Sequence, residues 1–476
     1  MATTTSLNSV LKTKYSDRIE YQLNDEGNLL KLFKNAIWDW YGLQIHVPVH
    51  VSRNDGIQAI PFGGNYRTAG DQGYNNLIVT AALLTGHIYI PRSEMKRAKE
   101  KGYGAFVSWW DAEFKRTMVD VKFRANRYLL AGNRFKGFIT NRNGGGAGNT
   151  GNNSTGACTV AAPAAGTDTK DYFGDMSAFD GSDENPVAVG TGLPPVVSNS
   201  WVRIRVFRLD TLAEVLTTGG IANPAIWVSA FDATARTIDV SVTANLAAES
   251  LDLNIAGMPA GQIFGVALSP TAYLDSTGAP FGALTSFANQ PQGVFGNLCE
   301  PVHFGIDRTT ATNTAVVLQC DALFMQANDA VGARAAVTPA RVQHCMDQAF
   351  VDGGEEIDCI LISPLTRAAY LAIMTGTLTA NVESAGGKGD AAYSSLAFAG
   401  MKLKVSQHVP PGGWIFLKRS SWKIAEMSKC EFVDDDGSII HRVSGTSAFE
   451  AAIEWYYNFV CLKPRCNAIL AGTALA

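Results

Sequence analysis

The longest regular hydrophobic pattern in the chain lies between Ala105 and Ala131. Its apolar residues recur every three or four positions, as on one face of an α-helix. They are Val107, Trp110, Phe114, Met118, Val121, Ala125 and Tyr128. At ~1.5 Å per residue, this spacing predicts one helix about 40 Å long, which suggests a spine laid across a sheet. A long core helix of an ordinary enzyme is the open alternative. Gly132 is predicted to end the helix in a left-handed conformation.

A second pattern is the alternation of apolar and polar residues that is typical of β-strands. It runs from Leu43 to Val51, and a returning strand is predicted from Leu77 to Ile90. The span between them, Ser52 to Asn76, is polar and rich in glycine. A loop of this length is unusual inside a compact domain. We therefore predict a long hairpin arm whose loop packs on another subunit.

Alternation returns in a β-rich segment at residues 200–256. The predicted core positions of this segment are Ile204, Val206, Ile238, Val240 and Val242. The opposite face is predicted to carry Arg203, Arg205 and Asp239. These strands predict a small antiparallel sheet with one buried face. Since two or three strands alone are marginal in water, the sheet must pack on another part of the assembly.

The rest of the chain mixes short strands with two helices whose ends carry capping residues. Thr338-Pro339 begins the first helix, Gly353-Gly354 ends it, and Ser363-Pro364 begins the second. Further strands are predicted at 403–409, 414–417, 422–427 and 449–462, with a hairpin over Glu431–Val443 that turns at Asp436-Gly437. This order favours an α+β fold over regular βαβ units.

The composition narrows the class of protein. The chain has 476 residues, of which 17% are charged, whereas typical soluble domains have roughly 25%. Few charges suit a surface that is largely buried in interfaces. The net charge of −4 gives no basic footprint for nucleic-acid recognition. The N-terminal residues lack the apolar region of a secretory signal, and no apolar run approaches the ~18 residues of a membrane helix. The 8 scattered cysteines are therefore predicted to be free thiols.

Each sequence motif that could carry chemistry lacks the structural surroundings that this chemistry requires. The glycine pattern from Gly146 to Gly151 lacks the strand before it and the helix after it that a dinucleotide site needs. His46 and His50 have the spacing of zinc ligands on a helix, but on a strand they lie roughly 13 Å apart. Cys345 follows His344, and neighbours on a helix point apart. We predict no catalytic residue, no cofactor and no metal.

Four segments, taken in order, carry a resemblance to a known family. They are the strand-to-helix junction IYIPRSEM, the helix end NRYLLAGN, the stretch from Phe398 to Met427, and the tail from Ala452. In that order they resemble the major capsid protein of tailed bacteriophages, the Hong Kong 97-like fold shared with encapsulins. The resemblance covers most of the chain by element order and is weaker by motif.

The resemblance implies a domain organisation. The expected parts are an N-terminal arm at 1–42, an E-loop hairpin at 43–90, a peripheral domain at 91–199 that holds the spine helix (about 105–131), the β-rich insertion at 200–256, an axial domain at 257–427 and a return to the peripheral domain at 428–476.

The implied function is structural: hexamers and pentamers of one subunit that close into an icosahedral head around double-stranded DNA. The head would be assembled in the host cytoplasm. Because about forty residues precede the E-loop, a separate scaffolding protein is expected, with a portal protein and possibly a decoration protein as further partners. The DNA contact would be non-specific, and no membrane is involved. The covalent cross-link of some family members does not carry over, since Ser52–Asn76 contains no lysine.

The E-loop supplies the predicted contacts between subunits, namely Arg53, Phe62, Tyr66 and Arg67. Two alternatives remain at this point. One is an encapsulin-like nanocompartment shell, in which protein replaces DNA as the cargo. The other is a cytosolic α+β enzyme or binding protein of unknown substrate.

Overall fold

The computed structural model describes residues 28–33, 37–40, 42, 44–52, 54, 56–93, 103–132, 135–139, 168–174, 201–208, 226–232, 234, 236–242, 264–274, 290–307, 323–326, 336–378, 397–434 and 439–473. The α-helices within these ranges are α1 (Asn28–Phe33), α2 (Tyr103–Ala131), α3 (Val294–Cys299), α4 (Pro339–Gly353) and α5 (Pro364–Leu378).

The strands fall into three groups along the chain. The first group is β1 (Ile37–Asp39), β2 (Gln44–Ser52), β3 (Gly73–Thr80), β4 (Ala82–Pro91), β5 (Phe135–Ile139) and β6 (Asp168–Gly174). The second is β7 (Trp201–Arg208), β8 (Ile226–Asp232), β9 (Thr237–Val242), β10 (Phe264–Leu274), β11 (Val302–His303), β12 (Ile306–Asp307) and β13 (Leu323–Gln326). The third is β14 (Cys359–Ile362), β15 (Ala397–Phe398), β16 (Met401–Val405), β17 (Trp414–Leu417), β18 (Trp422–Glu426), β19 (Glu431–Phe432), β20 (His441–Arg442), β21 (Ala448–Cys461) and β22 (Ala468–Ala471).

The predicted spine helix is confirmed as α2, which has 29 residues. Its stripe residues Val121, Ala125 and Tyr128 are buried, while the side chains of Val107 and Trp110 lie outside the described part. The left-handed end predicted at Gly132 is wrong, because this glycine does not have a positive φ. Gly132 is nevertheless needed, since a Cβ there would overlap the carbonyl oxygens of Tyr128 and Pro291.

The chain divides into two compact units, the first formed by Met1–Glu26, Thr85–Phe123 and Phe432–Ile453 and the second by the remaining residues. In the first unit, Ile88 and Ala451 are buried, with Phe114 and Phe432 packed against them. The rings of Phe114 and Phe432 are 4.6 Å apart. This unit therefore has a small apolar core of its own.

The hairpin predicted over Glu431–Val443 is wrong. β19 and β20 both pair with β21 and not with each other, and the predicted turn at Asp436-Gly437 lies outside the described residues. The reason is the length of β21, which has 14 residues. One long strand offers backbone partners to several short ones, and β4 and β18 also pair with it.

The second unit contains a closed barrel with the strand order β10-β5-β6-β9-β8-β7. The sheet predicted at 200–256 supplies three of these strands, and the other three come from residues 135–139, 168–174 and 264–274. Closure satisfies the edges that an isolated small sheet would leave open. The core predictions Ile204, Val206 and Ile238 are confirmed, each being 0% exposed. The side chains of Val240, Val242, Arg203 and Asp239 lie outside the described part.

The central sheet of the second unit has the order β13-β22-β17-β14-β16-β15. Helix α4 packs on it through Val342, Cys345 and Ala349. The predicted caps are confirmed: Thr338 Oγ1 accepts from the backbone N of Arg341, Gly354 ends α4 with a φ of 72°, and Ser363 Oγ accepts from the backbone N of Thr366 at 3.1 Å.

A further sheet of the second unit joins β1, β18 and β21. Phe33 of α1 packs against it, with its ring 4.8 Å from that of Phe459, which stacks on Trp422 at 4.8 Å. The second half of the predicted N-terminal arm is therefore held on this sheet, while residues 1–27 lie outside the described part. The predicted bounds of the domains stay predictions.

Candidate assembly surface

The predicted hairpin arm is a two-stranded ribbon, β2 paired with β3 from Gln44↔Thr80 to Ser52↔Gly73. The returning strand predicted to run to Ile90 is wrong in its extent, because it ends at Thr80 and the following strand, β4, pairs with β21. Apolar residues on one side of the ribbon fix its base. Leu77 and Val79 are buried in a cluster with Trp40, Ala425 and Val460. A two-stranded ribbon alone is marginal in water, so this apolar base is what stabilises the arm.

The base is also held by hydrogen bonds to other elements of the same unit. The backbone N of Ile78 donates to the carbonyl oxygen of Phe304 at 2.9 Å, which ties β3 to the turn between β11 and β12. Asn458 Nδ2 of β21 donates to the carbonyl oxygen of Thr80 at 2.7 Å. The ribbon therefore leaves the core at a defined place.

The loop beyond the ribbon, residues 56–72, exposes its large apolar side chains. The exposed fractions are 83% for Ile57, 112% for Phe62 and 91% for Tyr66. The hydrogen bonds within it are local: the backbone N of Gly64 donates to the carbonyl oxygen of Pro61 at 2.9 Å. Single exposed apolar residues are ordinary, but a group of them on one projecting loop is typical of an interaction site.

The structure places the predicted contact residues as follows. Phe62, Tyr66 and Arg67 are exposed on the loop, and Arg53 lies outside the described residues. Ile57 was not among the predicted contacts. It could have been predicted, because an isoleucine in a glycine-rich polar span has no local core to join. The role of these residues in contacts between subunits stays a prediction.

The buried side-chain amide of Asn297 binds backbone groups of β21. Asn297 is 0% exposed; its Oδ1 accepts from the backbone N of Cys461 at 2.8 Å, and its Nδ2 donates to the carbonyl oxygen of Phe459 at 2.9 Å. These bonds fix α3 to β21. An amide bound on both sides to backbone in this way holds two elements of the fold together.

Two buried thiols, one on α4 and one on β14 of the central sheet, have low reactivity. Burial raises the pKa of Cys345 to about 12 and that of Cys359 to about 11. Because the thiolate is the reactive form, neither is set up as a nucleophile at neutral pH. The six cysteines within the described ranges are free, as predicted; Cys158 and Cys320 lie outside them.

The two histidines with zinc-like spacing lie on β2, where both are exposed. His46 Nε2 is 3.1 Å from Gln44 Nε2, and the ring of His50 is 5.3 Å from that of Tyr74. Within the described ranges, no three histidine, cysteine or acidic side chains come together to hold a metal ion. In the same part of the chain, no helix is long and apolar enough to span a membrane.

Comparison with known proteins defines the fold. No family model matches the chain, and no match was found among curated proteins. Among solved structures, a chain of the Cyanophage A-1(L) capsid asymmetric unit aligns with a TM-score of 0.50 and 10% identity, covering 99% of both chains. The chain therefore has the α+β fold of a phage major capsid protein, as the resemblance predicted.

Two further phage-type capsids align over most of the chain, at TM-scores too low to add weight. The capsid of a native GTA particle gives a TM-score of 0.44 at 7% identity and covers 98% of this chain and 96% of its own. The capsid of Cyanophage P-SCSP1u gives 0.43 at 8% identity and covers 100% of this chain and 96% of its own. At such identities only the fold is shared.

Proposed function

We propose that the chain is the structural subunit of an icosahedral phage head, assembling as hexamers and pentamers around double-stranded DNA. The observation that carries this proposal is the loop at 56–72. It projects on a ribbon braced to the core, and it exposes Ile57, Phe62 and Tyr66 almost completely. A neighbouring subunit that covers the loop would remove these exposed apolar side chains from water.

The fold supports the same function, because a phage capsid chain matches over 99% of this one. The buried amide of Asn297 binds backbone groups, which fits a protein whose work is structural. The further partners are a separate scaffolding protein, a portal protein and a decoration protein. The packaged DNA is contacted without sequence preference.

The experiment is the replacement of residues 55–73 by a short Gly-Ser turn that still closes the β2–β3 ribbon. The variant should unfold like the parent in denaturant, because Leu77 and Val79 at the base are untouched. It should remain as free subunits or small oligomers under conditions in which the parent gives shells by electron microscopy. Normal shells from this variant would refute the role of the loop.

The cargo is tested on the same particles. Heads purified from infected or packaging-competent cells should contain double-stranded DNA that resists nuclease until the shell is opened. Particles that hold a defined protein and no protected DNA would favour the encapsulin-like shell instead.

A further inference from the structure

A groove of about 480 Å³ lies in the second unit beside β16. Its apolar lining comes from α1, β14 and β16, and two cationic side chains complete it. The residues that matter here are Leu29, Leu32, Leu361, Leu403, Lys404 and Arg419. Leu29 and Leu361 are buried, Leu32 and Leu403 are half-buried, and Lys404 and Arg419 are exposed.

We propose that this groove receives the loop tip of a second copy of the chain, with Phe62 and Tyr66 inserted between α1 and β16. The inference rests on the proposed function and names the place on the neighbouring subunit where the loop binds. The loop tip does not fill the groove of its own chain, because Phe62 is 112% exposed there.

Size supports this occupant. A cavity of roughly 150 Å³ holds one benzene ring, so a groove of about 480 Å³ has room for two aromatic side chains and part of their backbone. The tip offers just such a group, since Phe62 and Tyr66 are separated by Gly63, Gly64 and Asn65. Burying them removes two of the largest exposed apolar side chains of the described chain from water.

Charge supports the same occupant. The groove carries Lys404 and Arg419, and Arg419 Nε lies 3.3 Å from Asp358 Oδ1. Cations attract the faces of aromatic rings. The loop from Ile57 to Tyr66 contains no charged residue, so the inserted part brings no buried unpaired charge. Arg67, the next residue, is exposed and has to stay outside the groove. A basic peptide would be repelled at this groove.

The test places a benzophenone amino acid at position 62 of the full chain, lets the protein assemble, irradiates it and maps the cross-links by mass spectrometry. Cross-links between copies should fall on residues 29–32 and 403–406. A probe at Gln58, which is also exposed on the loop, is the matched control and should give these products in clearly lower yield. Particles whose position-62 cross-links fall elsewhere would overturn the groove as the binding place and leave the capsid proposal standing.

Two substitutions give an independent measurement. Phe62→Ala should raise the subunit concentration needed for assembly about tenfold, as for a central aromatic contact. Lys404→Glu should raise it by a smaller factor, and combining the two should give less than the product of the separate effects if the side chains meet. Exactly multiplicative effects would overturn the contact. A parent protein that forms no particle, with or without scaffold, would instead contradict the proposed function itself.

Discussion

Arg236 donates a hydrogen bond from Nη1 to the carbonyl oxygen of Pro411 at 2.7 Å. The bond ties the turn between β8 and β9 of the barrel to the turn that precedes β17 in the central sheet. Gly412 and Gly413 make the approach possible, because a Cβ on either would overlap Arg236 or the ring of Phe173. The barrel therefore contacts the turn formed by Pro411, Gly412 and Gly413 through the guanidinium of Arg236 and the ring of Phe173.

The turn that receives Arg236 is itself held in place. The backbone N of Gly412 donates to Thr366 Oγ1 at 2.9 Å, and its carbonyl oxygen accepts from the backbone N of Thr473 at 2.9 Å. Arg236 has a φ of 60°, which a non-glycine residue adopts at a cost of about 1–2 kcal/mol. The docked arrangement has to offset that cost.

Arg236→Met should therefore loosen the barrel. Methionine keeps an unbranched side chain but cannot donate the charge-assisted hydrogen bond to Pro411. The free energy of unfolding should therefore fall by about 1.5–3 kcal/mol. Hydrogen exchange in residues 226–242 should rise more than in α4. The control is Arg205→Met, since Arg205 lies 5.1 Å over the ring of Phe207 and its loss should cost under about 1 kcal/mol. Equal effects of the two substitutions would mean that Arg236 does not dock the barrel.

The second prediction concerns the end of α2. Gly132→Ala should lower the free energy of unfolding by about 1–3 kcal/mol, because the new Cβ would overlap backbone oxygens that cannot move aside easily. Gly400→Ala is the matched control: its Cβ meets nothing within 4 Å, but its φ is 78°, so only backbone strain of about 1–2 kcal/mol applies. Urea unfolding of both variants and of the parent measures the loss in the free energy of unfolding that each substitution causes. A Gly132→Ala protein as stable as the parent would refute the steric argument.

Local signals in the sequence were sufficient for the helices. The stripe of α2, the Thr338 cap and the Gly354 stop each lie within a few residues of the structure they specify, so spacing and capping chemistry predicted them. The exposure of Phe62 and Tyr66 was predictable in the same way, because aromatic residues in a glycine-rich span without periodicity have no local core to join.

Long-range pairings were not predictable. Alternation marked β7 and β9 as strands, yet nothing in it shows that β10 pairs with both β5 and β7, from Phe264↔Ile139 and Phe264↔Arg208 onward. The groove beside β16 also depends on residues that are far apart in the sequence, since it is lined by Leu29 and Leu32 of α1 and by Leu403. The period and composition of a strand's sequence indicate which of its faces is buried. They carry no information on which other strand it pairs with.

The third prediction is a pH dependence of the ion pair between Glu355 and Lys463. The hydrogen bond from Lys463 lowers the pKa of Glu355, and the same bond raises the pKa of Lys463. A lowered acid pKa stabilises the fold above the unfolded value of about 4.5, and this is lost as pH falls through the folded pKa. A raised lysine pKa stabilises the fold below about 10.5, and this is lost as pH rises through the folded pKa.

The pair should therefore contribute across neutral pH and fade in acid. Because the Lys463 side chain is 60% exposed, the contribution is screened and should stay under about 1 kcal/mol. Glu355→Gln should be slightly less stable than the parent at pH 7 in urea unfolding, and the difference should shrink as the pH falls below about 4.5. A difference that does not shrink in acid would show that Glu355 acts through packing and not through its charge.

The fourth prediction separates the thiols by reactivity. Burial raises the pKa of Cys345 to about 12, so very little thiolate exists at pH 8, and the residue is 0% exposed. Cys430 is only half-buried. In the native subunit, iodoacetamide followed by peptide mapping should modify Cys430 at least about tenfold faster than Cys345. Similar rates in native protein, with both thiols reacting fully in urea, would contradict the buried position of Cys345.

The last prediction tests the register of the barrel at Val206. This residue is 0% exposed and lies opposite Val266 of β10, which is also 0% exposed. Val206→Asp places an unpaired carboxylate on a buried face of the barrel beside Val266 and should lower the free energy of unfolding by about 2–5 kcal/mol at pH 7. Burial raises the pKa of such a carboxyl, so the deficit should shrink as pH falls toward about 4. Arg203→Ser, three positions earlier on the predicted opposite face, should cost under about 0.5 kcal/mol. If Arg203→Ser proved the more damaging change in urea unfolding of the free subunit, the two faces of β7 would be exchanged, as a shift of one residue in its pairing requires.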